Sequence, residues 1–210
     1  MENPVLILGA TSLGKVALDI FNRNHVIVYG FLDDDEKRHG SEIGEISVLG
    51  RTDDEGFTKL IGKKCEAFVA VEDRIERKNL VEFLNETRHV QPVNALHDTA
   101  VISGQAEIGH GNLVAAGVLV GPGAKVGNHC LLHSRAVIDA EANLADFVQV
   151  GPGTLVGPGV TVGENAFLGA GVTVVGGVTI GKNARVGAGS VVIESVPANA
   201  TVFGNPAKKV

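Results

Sequence analysis

Three groups of residues in this chain have types and spacing that could do chemistry. The first is Gly9-Ala10-Thr11-Ser12-Leu13-Gly14, which follows the apolar run Val5-Leu6-Ile7-Leu8 and precedes an apolar-periodic stretch over residues 15–21. A turn between a strand and a helix aims backbone N–H groups and a helix N-terminus at one point, where an anion such as phosphate is held. The glycines are spaced G-x-x-x-x-G, so the dinucleotide fingerprint is not met, and a merely tight turn is the alternative. The second group is Asp33-Asp34-Asp35, just past a second apolar run, Val26-Ile27-Val28-Tyr29. A carboxylate at the end of a second strand accepts hydrogen bonds from a ribose or a base. Three aspartates can also simply solvate a loop, and only the first one or two could face a ligand. The third group is His110, His129 and His133, with Glu141 further on. Histidine exchanges a proton near neutral pH and so suits general-base work. On a turn, however, a histidine is more often a solvated corner residue, and a lone carboxylate is commonly just exposed.

The elements that must position these groups fall into two parts. Residues 1–95 read as a small α/β domain. After the two strands and the helix over 15–21 come a small edge strand at 46–49, a helix over 53–63, a strand at 67–71 and a helix over 74–85. From Leu96 onward every sixth residue is Leu, Ile or Val, through Val114, Leu132, Val150, Leu168 and Val186 to Val192, seventeen positions without a break. Nine of them are followed directly by Gly, which is expected there to turn a corner with positive φ. Four residues past the anchor the side chain is small at Ala106, Ala124, Cys130, Ala136, Ala142, Ala166, Ala184 and Ser190, with Asn112 the exception in kind. A period of six is neither strand nor helix; it is the hexapeptide repeat of a parallel β-helix, three hexads to a coil. Residues 96–192 make a little over five coils, a prism roughly 25 Å tall at the strand spacing of about 4.8 Å. Residues 193–210 then cap the open end, which would otherwise expose unpaired strand edges.

Composition excludes several classes. A net charge of −6 offers no electrostatic footprint for nucleic acid or for an anionic membrane. Residues 96–192 hold only 10 charged side chains, consistent with broad surfaces covered by other subunits. Cys65 and Cys130 form no CxxC pair, and Cys130 falls on an inward position as a plain buried thiol. No run of 18 apolar residues could span a membrane, and Met1-Glu2-Asn3-Pro4 lacks a basic leader region, so a cytoplasmic protein is expected.

With these pieces in order the chain resembles the bacterial sialic acid O-acetyltransferases and UDP-4-amino-sugar N-acetyltransferases over essentially its whole length. The resemblance is carried by Gly9-Ala10-Thr11-Ser12-Leu13-Gly14, by Phe31-Leu32-Asp33-Asp34, by the solenoid, and by the closing Val202-Phe203-Gly204-Asn205-Pro206-Ala207-Lys208. It implies a left-handed β-helix, a homotrimer, and acetyl-CoA bound between neighbouring solenoids. A nucleotide-sugar would be held by the N-terminal domain, with Gly9, Thr11, Ser12 and Gly14 near the diphosphate and Asp33 or Asp34 near the base or ribose. Ala170 and Ala188 would line the pantetheine, with Lys182, Arg185, Lys208 and Lys209 available to the CoA phosphates.

The same resemblance exposes three departures. The family's basic histidine falls on Ala140, a second histidine falls on Gln149, and Gly157-Pro158 stands where an amide N–H would lie near the thioester. Alanine accepts no proton and proline donates none. His133, which stands where the family tends to have Asn, is the best replacement base, with Glu141 next. Two functions stay open: an acyltransferase with a rearranged base, or a trimeric binding protein whose chemistry has lapsed. A zinc enzyme on the same solenoid would need three convergent histidines. His129 and His133 lack the usual spacing, so no metal is expected. Which sugar, which position on it and which acyl group are left undetermined.

The register itself is testable. Leu132→Asp or Val150→Asp would bury an unpaired charge in a stacked apolar column. Either should prevent soluble expression, whereas normal expression and melting would contradict the register.

Overall fold

The computed structural model describes residues 3–210. It divides into two compact units between Asp98 and Thr99. In the first, β1 (Val5–Leu8), β2 (Val28–Leu32), β4 (Ile46–Gly50) and β5 (Glu66–Val69) run parallel, and β3 (Glu42–Ile43) pairs antiparallel with β4. The order is β3-β4-β2-β1-β5, so β1 is an interior strand between β2 and β5, and its four residues are buried, as an uninterrupted apolar run requires. Helix α1 (Ser12–Arg23) presents Leu13, Ala17, Ile20 and Phe21 to the core, where Phe21 meets Phe68 edge to face at 5.7 Å. Helix α2 (Glu55–Thr58) is a single turn, and α3 (Arg74–Phe83) follows β5.

Three local expectations are corrected. The second strand lies two residues later than the 26–29 run, because Phe31 and Leu32 are the residues that pair with both β1 and β4. The 46–49 strand is not at the edge, since the short β3 covers it. The helix expected over 53–63 stops at Thr58; turns then lead to Gly62, and Ile61 bridges to Cys65 just before β5.

The second unit is a left-handed parallel β-helix of two-residue strands on three faces. The first face stacks Leu113–Val114, Leu131–Leu132, Gln149–Val150, Phe167–Leu168 and Arg185–Val186. The second runs from Val101–Ile102 to Val191–Val192, and the third from Glu107–Ile108 to Thr179–Ile180. Partners are 18 residues apart throughout, as in Leu132↔Val150. The fourteen anchors from Val114 to Val192 are at most 3 % exposed. Leu96, which closes the first unit, and Ile102 and Ile108, in the lowest coil of the second, are half-buried. Polar residues at inward corners are satisfied by the neighbouring coil. Asn112 donates to the Gly127 carbonyl and accepts from the Cys130 amide, and Thr154 Oγ1 donates to the Gly169 carbonyl at 2.6 Å. At the far end Thr201–Phe203 adds to Arg185–Val186 in parallel and Lys208–Lys209 returns antiparallel, covering the last coil.

The glycine that follows an anchor does not serve to turn the corner. Positive φ falls two residues later, at Gly153 (φ 66°), and there His129, Arg135, Glu141, Phe147, Asn165 and Asn183 adopt it too. What the first position requires is close approach of successive coils: a Cβ on Gly151 would lie 2.6 Å from the Ala170 amide nitrogen. The two sites should therefore respond differently to substitution. Gly151→Ala should lower the thermal midpoint by roughly 3–10 °C through overpacking. Gly153→Asn, which meets open space and a conformation that Asn already adopts at 165 and 183, should leave it within about 2 °C. The reverse order in a melting experiment would contradict this assignment.

Candidate functional site

The C-terminal ends of β1, β2 and β5 enclose a 360 Å³ cavity in the first unit. That is where an open parallel sheet places its loops, and where such sheets take ligands. One wall is Gly9, Thr11 and Ser12, and the opposite walls are Asp33, Asp34, Asp35 and Thr52 on one side and Val71, Glu72, Asp73 and Glu76 on the other. Of the residues singled out in the sequence, Gly9, Thr11, Ser12, Asp33 and Asp34 thus come together. Gly14 lies behind the lining: a Cβ there would collide with the Gly9 carbonyl, so this glycine lets α1 pack onto the turn. Gly9 itself has φ 110°, and a Cβ on it would lie 2.5 Å from the Ala70 carbonyl oxygen.

The aspartates have distinct tasks. Asp33 is buried; its Oδ2 accepts from the Ala10 amide at 2.7 Å and its Oδ1 from the Asp35 amide at 2.9 Å. It is a staple that ties the Gly9 turn to the end of β2. Asp34 Oδ1 accepts from the Thr52 amide and hydroxyl at 3.0 and 2.9 Å, while its Oδ2 takes no hydrogen bond among the described residues. Asp35 accepts from the Lys37 amide, which with Arg38 holds its carboxyl below the usual range. Asp73 caps α3 by accepting from the Ile75 and Glu76 amides, and the Glu76 amide above all depresses its pKa. Glu76 is shifted the other way, by desolvation first and then by the charges of Asp73, Asp34 and Asp33. Glu72, Asp73 and Glu76 were not singled out in the sequence. Their signal was topological: a carboxylate at the start of the helix after β5 must stand beside the ends of β1 and β2.

The cavity is polarised. Its lining holds six carboxylates and no basic side chain. Helix α1, by contrast, begins at Thr11 with no side-chain cap and no acid in its first turn, so its orphan amides face the cavity end with partial positive charge. Phosphate fits that end and hydrogen-bond donors fit the other. Among the described residues no three His, Cys, Asp or Glu side chains are grouped to hold a metal ion.

In the second unit the residues proposed for catalysis occupy different corners. His133 follows the first-face strand Leu131–Leu132, and Glu141 follows the second-face strand Val137–Ile138, so a strand separates them. His133 Nε2 lies 3.3 Å from Gln149 Nε2. An amide nitrogen can only donate, so a hydrogen bond between the two forms only when this ring nitrogen carries no proton. The Ala140 amide donates to Oδ1 of the preceding residue, Asp139, at 2.7 Å, and Pro158 contributes only its carbonyl, which accepts from the Gly177 amide.

The residues suggested for CoA flank the first face. Ala170 and Ala188 are exposed on the corner between first and second faces, in line with Ala116, Ser134 and Pro152, none of which is bulky. Arg185 lies on the first face with its guanidinium 4.8 Å from the Phe167 ring centroid. Lys208 is on the capping strand of that face, whereas Lys182 sits at its other corner, paired with Glu164 at 2.6 Å. Small corner residues beside exposed cations suit a slender chain ending in phosphates.

The chain is similar to known proteins. The PglD N-terminal domain model matches residues 4–84, and the bacterial transferase hexapeptide model matches residues 159–194. A histidine-to-alanine mutant of GDP-perosamine N-acetyl transferase from Caulobacter crescentus, solved with CoA and GDP-perosamine, is 32 % identical. The similarity spans 99 % of this chain and 96 % of that one at a TM-score of 0.90. PerB from the same organism, also with CoA and GDP-perosamine, is 31 % identical over 99 % and 97 % of the two chains, with a TM-score of 0.88. The acetyltransferase domain of PglB from Neisseria gonorrhoeae is 25 % identical over the whole of both chains, with a TM-score of 0.90. The comparison with curated proteins found no match.

The staple can be tested by stability. Asp33→Ala leaves the Ala10 and Asp35 amides without their acceptor, which should cost about 1–3 kcal/mol in a denaturant titration. An unchanged midpoint would show that the turn does not depend on Asp33.

Proposed function

This chain belongs to the hexapeptide-repeat sugar acyltransferase family, and we propose that it transfers an acyl group, acetyl from acetyl-CoA, to an amine on a nucleotide-linked sugar. The observation that carries this is the polarised cavity, which gathers Gly9, Thr11, Ser12, Asp33 and Asp34 at one sheet edge. Support comes also from the full-length similarity to a transferase solved with CoA and a nucleotide-sugar. In this proposal the α1 amides hold the diphosphate, and Asp34 Oδ2 accepts from a ribose hydroxyl. Ala170 and Ala188 give the pantetheine a smooth corner, and Arg185, Lys208 and Lys182 neutralise the CoA phosphates.

The chemistry is attack of the sugar nitrogen on the thioester carbonyl, with loss of a proton from nitrogen and departure of the thiolate. His133 takes the proton at Nε2, which lies 3.3 Å from Gln149 Nε2. Glu141 is the reserve candidate, on its own corner. An amine rather than a hydroxyl is the favoured acceptor because it is nucleophilic without prior deprotonation, and positioning alone then supplies much of the rate. This suits a site where Ala140 and Pro158 provide neither a base nor an amide donor.

We further propose a homotrimer. The outward residues of the second face are Val101, Leu119, Val137, Leu155, Thr173 and Val191, with Val101 64 %, Leu119 40 % and Leu155 38 % exposed. The third face instead presents Glu107, Lys125, Asn143, Thr161 and Thr179. An exposed apolar column of this length suits contact with other copies. No helix among the described residues is long and apolar enough to cross a membrane. We place the reaction in the cytoplasm, where acetyl-CoA is used.

Acyl transfer to a panel of 4-amino and hydroxy nucleotide-sugars tests the assignment. Amine acceptors should react faster, and His133→Ala should lower the rate roughly 10²–10⁴-fold. Activity that survives His133→Ala would move the base to Glu141. No transfer with acetyl-CoA still bound would favour a lapsed binding protein, and no CoA binding would overturn the ligand assignment.

A further inference from the structure

The cavity holds more carboxylate than a diphosphate and a ribose can use. Asp33, Asp35 and Asp73 are engaged by backbone amides, and Asp34 by Thr52. Glu72 and Glu76 make no side-chain hydrogen bond among the described residues, although both line the cavity. Glu76 stands three residues past the α3 cap, the position from which a glutamate commonly reaches back to the N-cap amide. It makes no such bond. Its side chain lines the acidic end instead, where desolvation first and then the charges of Asp73, Asp34 and Asp33 disfavour its ionised form. An acceptor held there against repulsion needs donors from the ligand to become favourable.

We propose that Glu76 reads the base of the nucleotide-sugar and that the base is guanine. This rests on the nucleotide-sugar reading above and adds its specificity. Guanine presents N1–H and the N2 amino group side by side, so one carboxylate accepts from both. Uracil and thymine offer a single N3–H between two carbonyl oxygens, which would face the carboxylate oxygens and repel them. Adenine and cytosine pair their amino group with a ring acceptor and so satisfy one oxygen only. A bidentate contact of this kind discriminates between bases by roughly ten- to a hundredfold. The uncapped α1 end, on the far wall, takes the phosphates and so fixes which end of the ligand meets Glu76.

The test is calorimetric titration of the full-length protein with GDP, UDP, CDP and ADP, repeated on Glu76→Gln. Glutamine keeps the shape at an exposed helix position but has one acceptor oxygen in place of two. GDP should bind at least about tenfold more tightly than the other three, and Glu76→Gln should weaken GDP about tenfold while changing UDP little. UDP, CDP or ADP binding as tightly as GDP would overturn the guanine assignment. A preference for GDP that survives Glu76→Gln in a normally folded protein would overturn Glu76 as its reader. Failure of all four to bind would instead remove the nucleotide-sugar reading on which the proposal stands.

Discussion

The structure depends on one constraint: each coil must sit directly on the last, 18 residues later, with its aliphatic anchors in contact and its backbones close. Val114, Leu132, Val150, Leu168 and Val186 form one such column, buried throughout. The ladder hydrogen bonds hold the coils at strand spacing, and at Gly151, Gly163 and Gly169 that spacing leaves no room for a Cβ. A core fixed this way leaves the outward positions almost unconstrained. The second face can therefore be apolar, the third polar, and the first can carry Gln149, Phe167 and Arg185 without cost to the fold. The corners are equally free, so position 140 can vary while the column beside it at Ile138 persists.

The smaller unit solves a different problem. A parallel sheet brings the ends of β1, β2 and β5 together, and the loops there must be held without filling the space between them. Asp33 does this from below by accepting from two amides, and Arg77 does it on the far side by donating Nη1 to the Val71 and Glu72 carbonyls at 2.9 and 3.1 Å. With the loops fixed, the contrast between an uncapped α1 and an Asp73-capped α3 gives the cavity two chemically different ends.

Much of this was legible in the sequence, and the limits are physical. The six-residue period identifies inward positions because stacking tolerates only aliphatic side chains there. The role of the following glycines was misread because a sequence shows that a side chain is missing, not what would have struck it. The strand shift in β2 has a similar cause: Gly30 looks like a turn residue, yet a Cβ on it would collide with Leu49 Cδ1, so it belongs inside the sheet. In the cavity, Gly9, Thr11, Ser12, Asp33 and Asp34 were recognisable because strand–turn–helix order dictates their neighbourhood. Asp33's task as a staple and Glu76's place opposite the turn depend on contacts between segments 23 and more residues apart, which no local pattern encodes.

The central claim is that acyl transfer takes place beside His133 on the first face, without the base expected at position 140. A crystal structure with CoA and a 4-amino nucleotide-sugar tests this most directly. The account predicts the pantetheine passing Ala170 and Ala188 and the sugar nitrogen within about 3 Å of His133 Nε2. A sugar nitrogen at the Glu141 corner, or a CoA that avoids the first face, would contradict it.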